Sequence, residues 1–397
     1  MNLMFVKSAP VHYSSFLRAF YSSSFYHFLV FVSALIPKIF NISSVLTVVG
    51  VVLLIVLGMF KKKEKLKENF SPKSINAVIT VHNEEDAVAA VVDSCLKAHF
   101  DDVYLILDAC TDNTLNVAKT RPVKIIQVNE RSKSKALNVA LPLIIKRAST
   151  ESFYVFFDAG NYIEENFLKK ALPFIKSYPI IQFRTRNANH RSIISRMFLI
   201  MNAFYFKIQN ALNMLNFSAM LCGFGWGAYG WVLNEYPYRC KSLVDDFEYT
   251  LKVGYNVKYI DAVDIYDEKP DSFYISCQER LRWMRGYFYE LFADTKNFKP
   301  KPYLIIVPLS FLSAVLSIFF IFTNLHISAL IYTFIVNTLM FALTLDLKDL
   351  RQVKLYDFLV FSFFNASNLV VIIIALFTFK NLNWFRTPHK GIVGTGV

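Results

Sequence analysis

Three acidic stretches each follow a short apolar run. His82-Asn-Glu-Glu85 follows Ala77–Val81, Asp108-Ala-Cys-Thr-Asp112 follows Val103–Leu107, and Asp158-Ala-Gly-Asn161 follows Phe153–Phe157. Farther along stand the paired carboxylates Asp245 and Asp246, and then Arg282-Trp283. Acidic groups gathered in one cleft repel one another unless a cation or a donor-rich ligand joins them. A sugar nucleotide with a divalent ion meets that need. The carboxylates accept hydrogen bonds from base and sugar, and the ion takes oxygen ligands and spans the diphosphate. Each motif alone carries less. An Asp that ends a strand also serves as a helix cap or turn former. Asp245 and Asp246 also suit the start of a helix through Phe247–Val253, and Arg280–Arg285 also reads as an amphipathic helix against anionic lipid.

The hydrophobic pattern gives the scaffold for these groups. Strands are expected at 77–81, 103–107, 123–128 and 153–157. Helices are expected at about 85–97 and at 135–147, with another beginning at 114–119. Strands alternating with helices at this spacing imply a parallel α/β sheet, and such sheets bind ligands at the carboxyl ends of their strands. The chain holds no GxGxxG and no GxxxxGK[ST], so it lacks a dinucleotide fingerprint and a P-loop.

Of 397 residues, 54% are hydrophobic, 18% are charged and 39 are Phe. A disordered or collagen-like chain is excluded. The net charge of +13 sits beside apolar runs, which points to lipid headgroups and away from nucleic acid. The five cysteines form no CxxC pair and read as reduced thiols. Ile42–Phe60 is uncharged and long enough to span a bilayer, with an earlier apolar segment at about 25–40. The lysines at 61–67 put the chain beyond them on the cytoplasmic side. The expected organisation is a membrane region at 1–60, a cytoplasmic domain at 61–300 carrying an interfacial helix at about 192–221, two or three membrane segments in 301–380, and a tail at 381–397. Pro302–Leu345 accommodates two spans. Tyr356–Phe379 is either a third or, broken at Asn365-Ala-Ser-Asn368, a re-entrant pair.

The motifs, in this order, resemble those of the family-2 glycosyltransferases, the inverting GT-A enzymes that include cellulose, chitin and hyaluronan synthases. The resemblance rests on Val78-Ile-Thr-Val-His-Asn-Glu-Glu85, Asp108–Thr114, Lys133-Ser-Lys135-Ala-Leu-Asn138, Phe156-Phe-Asp158-Ala-Gly160-Asn161, Gly223–Tyr229, Val244-Asp245-Asp246 and Glu279-Arg-Leu-Arg282-Trp283. Trp384–Gly391 adds a fainter echo. It implies a Rossmann-like α/β GT-A domain with a mostly parallel sheet, inserted between N- and C-terminal transmembrane helices.

Carried over by motif, His82, Asn83, Glu84, Asp108, Asp112, Lys135 and Asp158 would bind the donor, with Asp108 toward the base. Asp158 and Asn161 would hold Mg²⁺ or Mn²⁺. Gly225, Trp226, Asp245, Arg282 and Trp283 would face the acceptor and diphosphate, and Asp246 would be the catalytic base. Two positions depart from the family: Gly160 replaces the second acid of DxD, and Glu279 replaces the Gln of QxxRW. The implied activity is inverting transfer of a sugar from a UDP- or GDP-linked donor to a lipid or growing glycan acceptor, as a processive synthase or by single additions. The implied setting is an integral membrane protein in contact with lipid and not with nucleic acid. The alternative is a non-catalytic membrane protein with a degenerate GT-A domain that binds a nucleotide sugar.

Overall fold

The structure is a computed structural model that describes residues 53, 55–60, 66–292, 344–383, 385, 387, 389 and 390. The segment at 25–40, most of 42–60, the two spans in 302–345 apart from its last two residues, and most of the tail lie outside the described residues.

The strands are β1 (Ile75–Val81), β2 (Asp102–Asp108), β3 (Lys124–Val128), β4 (Phe153–Asp158), β5 (Asn161–Tyr162), β6 (Ile180–Asn187), β7 (Trp226–Tyr229) and β8 (Lys258–Asp267). They form one sheet in the order β3-β2-β1-β4-β7-β6-β8-β5. β1, β2 and β4 read as continuous apolar runs because both of their faces are covered. Each large apolar side chain buried there contributes about 1.5–3 kcal/mol.

The sheet is mixed where a mostly parallel one was expected. β1–β2, β1–β4, β2–β3 and β6–β8 pair parallel. The short β7 runs antiparallel to both β4 and β6, and β5 antiparallel to β8. The chain re-enters the sheet after a long helical excursion, and this reversed insertion is what that return produces.

Helices α1 (Val88–Lys97), α2 (Thr114–Lys119), α3 (Lys133–Arg147) and α4 (Phe167–Ile175) connect the strands as far as β6. The first starts three residues later than expected. Asn83 is left-handed at φ 55, and the Glu84 carbonyl accepts from Ala87 N and Val88 N in a tight turn, which lengthens the loop after β1. Ala109 (φ 49) and Arg131 (φ 52) are left-handed too. The loops after β1, β2 and β3 thus each hold one strained non-glycine residue, the pattern found where backbone is over-determined by its surroundings.

The remaining helices are α5 (Ile193–Met214), α6 (Gly230–Glu235), α7 (Asp245–Lys252), α8 (Phe273–Phe292), α9 (Leu347–Leu350) and α10 (Leu355–Thr378). On α5, Phe206 stacks on Tyr259 of β8 with ring centroids 5.6 Å apart. Its Met197, Phe198 and Ile200 pack with Phe358, Phe361 and Phe364 of α10. Near the start of the described chain, a Cβ on Gly58 would overlap the Lys207 carbonyl, so glycine lets the helical residues 55–59 approach α5 closely. The Gly58 carbonyl accepts from Asn210 Nδ2 at 2.8 Å.

Of the described helices, α10 is the one long and apolar enough to cross a membrane. It runs unbroken through Asn365–Asn368, so these polar residues do not make a re-entrant pair. They are satisfied sideways: Arg280 of α8 donates to the Phe364 carbonyl, Ser367 Oγ and Asn368 Oδ1. Both ends are also tied to the domain. Asp357 accepts from Arg196 Nε at 2.7 Å, and Thr378 Oγ1 accepts from Arg285 Nε at 2.9 Å.

Candidate active site

The loops after β1 and β2 are braced against each other. Asn83 Oδ1 accepts from Thr111 N at 2.7 Å, Asp112 accepts from Glu85 N and Thr114 N, and Glu84 N donates to Thr114 Oγ1. His82 Nδ1 donates to the Asp108 carbonyl at 2.5 Å. His82, Asn83, Glu84 and Asp112 therefore shape one rim.

Asp108 does not open toward a base. It is 2% exposed, and its carboxylate accepts from the backbone N–H groups of Glu130, Arg131 and Ser132 at 2.7–2.8 Å. A carboxylate so engaged is an organiser: it fixes the loop that begins α3 and presents Lys133.

Lys133 takes the place expected of Lys135. Its Nζ lies 2.5 Å from Asp158 Oδ1 and 2.6 Å from the Gly223 carbonyl. Lys135 is exposed, because two residues along a helix turn the side chain to the opposite face. Burial disfavours the Lys133 charge, yet Asp158, Asp245 and Asp246 hold its pKa above the ordinary value.

Gly223 N donates in turn to Asp246 Oδ2. The left-handed Gly223 has open space where a Cβ would stand. Asp158, Lys133, Gly223 and Asp246 thus form one continuous polar run from the end of β4 to the start of α7. Asp245 and Asp246 occupy the first turn of α7, where Val244 is the cap residue and no side-chain cap bond forms. Their charges suit the helix N-terminus, but their side chains are left for the cleft. Burial pushes Asp246 up to about 6, with Asp245 adding to the rise and Lys133 opposing it. Asp245 is raised as well, first by burial.

Four expected site residues belong to the fold instead. Trp226 is 1% exposed and stacks on Phe156 at 3.9 Å, because β7 carries it into the sheet core. Gly225, left-handed at φ 66, donates to the Phe156 carbonyl and starts β7. Asn161 is 2% exposed, and its amide is spent: Oδ1 accepts from Asp158 N and Nδ2 donates to Asp267 Oδ1, both at 2.7 Å. Trp283 packs edge-on against Phe198 and joins the apolar contacts of α5, α8 and α10. Arg282 Nη1 donates to the Leu243 carbonyl at 3.3 Å.

One participant was not among the expected site residues, although it lies within the Trp384–Gly391 segment that faintly echoes the family. His389 lies against Gly160, where a Cβ would overlap its imidazole. Its Nδ1 is 3.2 Å from Glu84 Oε1, and the adjacent Lys390 N donates to Glu268. The C-terminal tail thus returns to the mouth of the site.

With this geometry in place, residues 72–286 match the family described as "Glycosyltransferase like family 2". The chain belongs to that family. Among curated proteins, none matches the sequence. Among solved structures, this glycosyltransferase is similar to a mannosyltransferase from Pyrobaculum calidifontis in complex with GDP-Man and Mn²⁺. The two share 16% identity with a TM-score of 0.56, over 86% of this chain and 99% of that one. A glucosyl-3-phosphoglycerate synthase from Mycobacterium tuberculosis, in complex with Mn²⁺, UDP and glucosyl-3-phosphoglycerate, is 15% identical. There the TM-score is 0.38, over 53% of this chain and 77% of that one. The first likeness establishes a GT-A fold with a Rossmann-like mixed sheet.

Proposed function

We propose that the chain is a membrane-bound inverting hexosyltransferase, acting at the cytoplasmic face on a UDP- or GDP-linked sugar and a lipid or glycan acceptor. The observation that carries this reading is the run Asp158–Lys133–Gly223–Asp246, which joins the donor motif to a carboxylate across the cleft. Asp246 takes the proton from the acceptor hydroxyl. That oxygen bonds to the anomeric carbon from the face opposite the diphosphate, and the bond from carbon to the diphosphate oxygen breaks. General-base help of this kind is worth about 10²–10⁴-fold. Lys133 supplies positive charge to the departing nucleoside diphosphate.

The donor side accommodates a divalent ion through residues other than the expected pair. Among the described residues no three His, Cys, Asp or Glu side chains converge as ligands, and Asn161 is spent. Lys133, however, engages only Oδ1 of Asp158. His389 puts an imidazole where a second acid would rise from position 160, with Glu84 orienting the ring as carboxylates orient ligating histidines. Asp158 and His389 would hold Mg²⁺ or Mn²⁺, with phosphate oxygens and water completing the shell. Once bound, the ion would neutralise diphosphate charge. That the mannosyltransferase of like fold holds GDP-Man and Mn²⁺ supports the use of a divalent ion.

α10 supports membrane association, but along the surface and not across it. The helix is about 36 Å long, and both of its ends and its middle are bonded to α5 and α8. A crossing would take those helices into the bilayer with it. Its outer face exposes Leu355, Leu359, Phe363, Val370 and Phe377, as an interfacial helix does. The tail then stays on the catalytic side, which agrees with His389 at the cleft.

A screen of UDP- and GDP-sugars, with and without Mn²⁺ or Mg²⁺, tests the proposal. One donor should be consumed by the wild-type protein and spared by Asp246→Asn.

A further inference from the structure

Three polar atoms at the start of α7 and on α8 are buried without a hydrogen-bond partner among the described residues: Asp245 Oδ2, Glu279 Oε2 and Arg282 Nε. Asp245 and Glu279 are each 7% exposed. Glu279 and Arg282 are three residues apart on α8 and so share a face of that helix. Arg282 Nη1 donates to the Leu243 carbonyl, two residues before Asp245, which brings this face of α8 against the start of α7; Arg282 acts electrostatically on both carboxyls, and Lys269 acts on Glu279 as well. The groups therefore line one side of one cleft.

Buried polar atoms are almost always satisfied, and leaving one bare costs about 1–3 kcal/mol. Three together describe a ligand by what it must offer. Ionised carboxylates only accept hydrogen bonds, and a guanidinium N–H only donates. Neighbouring hydroxyls fit both demands, since each can donate to a carboxylate and accept from the arginine. A phosphate offers acceptors alone, so it could answer Arg282 but would leave both carboxylate oxygens without a donor. The family's Gln at this position could donate from its amide. Glu279 in its ionised form cannot, so it selects for a donor on the ligand.

We infer that the acceptor of this glycosyltransferase ends in an uncharged, hydroxyl-bearing sugar, seated between Asp245, Glu279 and Arg282, and not in a lipid phosphate. The inference rests on the transfer reading above and narrows its acceptor to one chemical class. One hydroxyl of that sugar gives its proton to Asp246 and bonds to the donor's anomeric carbon as the diphosphate leaves. The others are held by the two flanking carboxylates.

The test uses the full chain in a sugar-free detergent, with radiolabelled UDP-glucose, UDP-N-acetylglucosamine and GDP-mannose as donors. The acceptors are octyl glucoside, lactose and undecaprenyl phosphate. At least one sugar acceptor should be glycosylated ten times faster than undecaprenyl phosphate. In Glu279→Gln the ratio of acceptor KM to donor KM should rise about tenfold, a split that a merely structural role would not produce. Preferred transfer to undecaprenyl phosphate, or donor hydrolysis that neither sugar intercepts, overturns the acceptor assignment and leaves the donor chemistry standing. Consumption of no donor under any condition overturns the transferase reading and the acceptor assignment with it.

Discussion

The His389 imidazole fills the space that a side chain at position 160 would need. Glycine at the second acidic position of the donor motif is therefore matched by a histidine from the far end of the chain. Gly160→Ala should push the tail out of the cleft and weaken Mn²⁺ binding to the donor complex about 10–100-fold. His389→Ala should do the same without crowding. Calorimetric titration of Mn²⁺ into the protein with UDP or GDP checks both, and unchanged affinity in both would remove His389 from the metal.

Lys133 holds Asp158 on one side and the Gly223 carbonyl on the other. Lys133→Ala should lower transfer by about 10²–10³-fold, the range seen when one charge-stabilising donor is lost, and Lys133→Arg should recover part of it. The same substitution removes a positive charge that restrains Asp246. The pH midpoint of the residual activity should therefore move upward, which a pH–rate profile of the variant reads directly.

Asp246 must be ionised to accept a proton, and its pKa is raised to about 6. Transfer should climb between about pH 5 and 7 and then level off. The same shift bears on stability with the opposite sense. The raised carboxyl favours the folded state below its unfolded pKa, and that contribution is lost as pH rises through about 6. Asp246→Asn should therefore melt higher than wild type at pH 7.5 while losing transfer. Thermal unfolding at pH 5 and 7.5 checks this, with a smaller difference expected at pH 5.

The two ends of α10 should face the same compartment. Cysteines introduced at Lys354 and Lys380 should react with a membrane-impermeant maleimide from the cytoplasmic side of vesicles, above the level given by the native cysteines. Labelling of the two from opposite sides would make α10 a true crossing.

The sheet's first half was legible because β1, β2 and β4 are buried on both faces and so appear as apolar runs. α2 begins where expected, and the first helix erred only where left-handed Asn83 delayed it. Side-chain direction was harder to read. Lys133 and Lys135 lie in one motif, and helix phase alone separates the one in the site from the exposed one. Asp108 looked like a ligand group because its hydrogen-bond donors are backbone amides beyond β3, which have no side-chain signature. Trp226 follows a glycine loop, as a binding aromatic would, and only the pairing of β7 with β4 and β6 buries it. His389 meets Glu84 across 305 positions, a separation at which no periodicity or spacing speaks.

The role of Asp246 as proton acceptor stands or falls on single-turnover transfer by Asp246→Asn, measured beside binding of the nucleotide donor. Donor affinity within a few-fold of wild type, with transfer reduced at least 10²-fold, is the expected result. Transfer at the wild-type rate would contradict it, because no proton acceptor would then be needed at the start of α7.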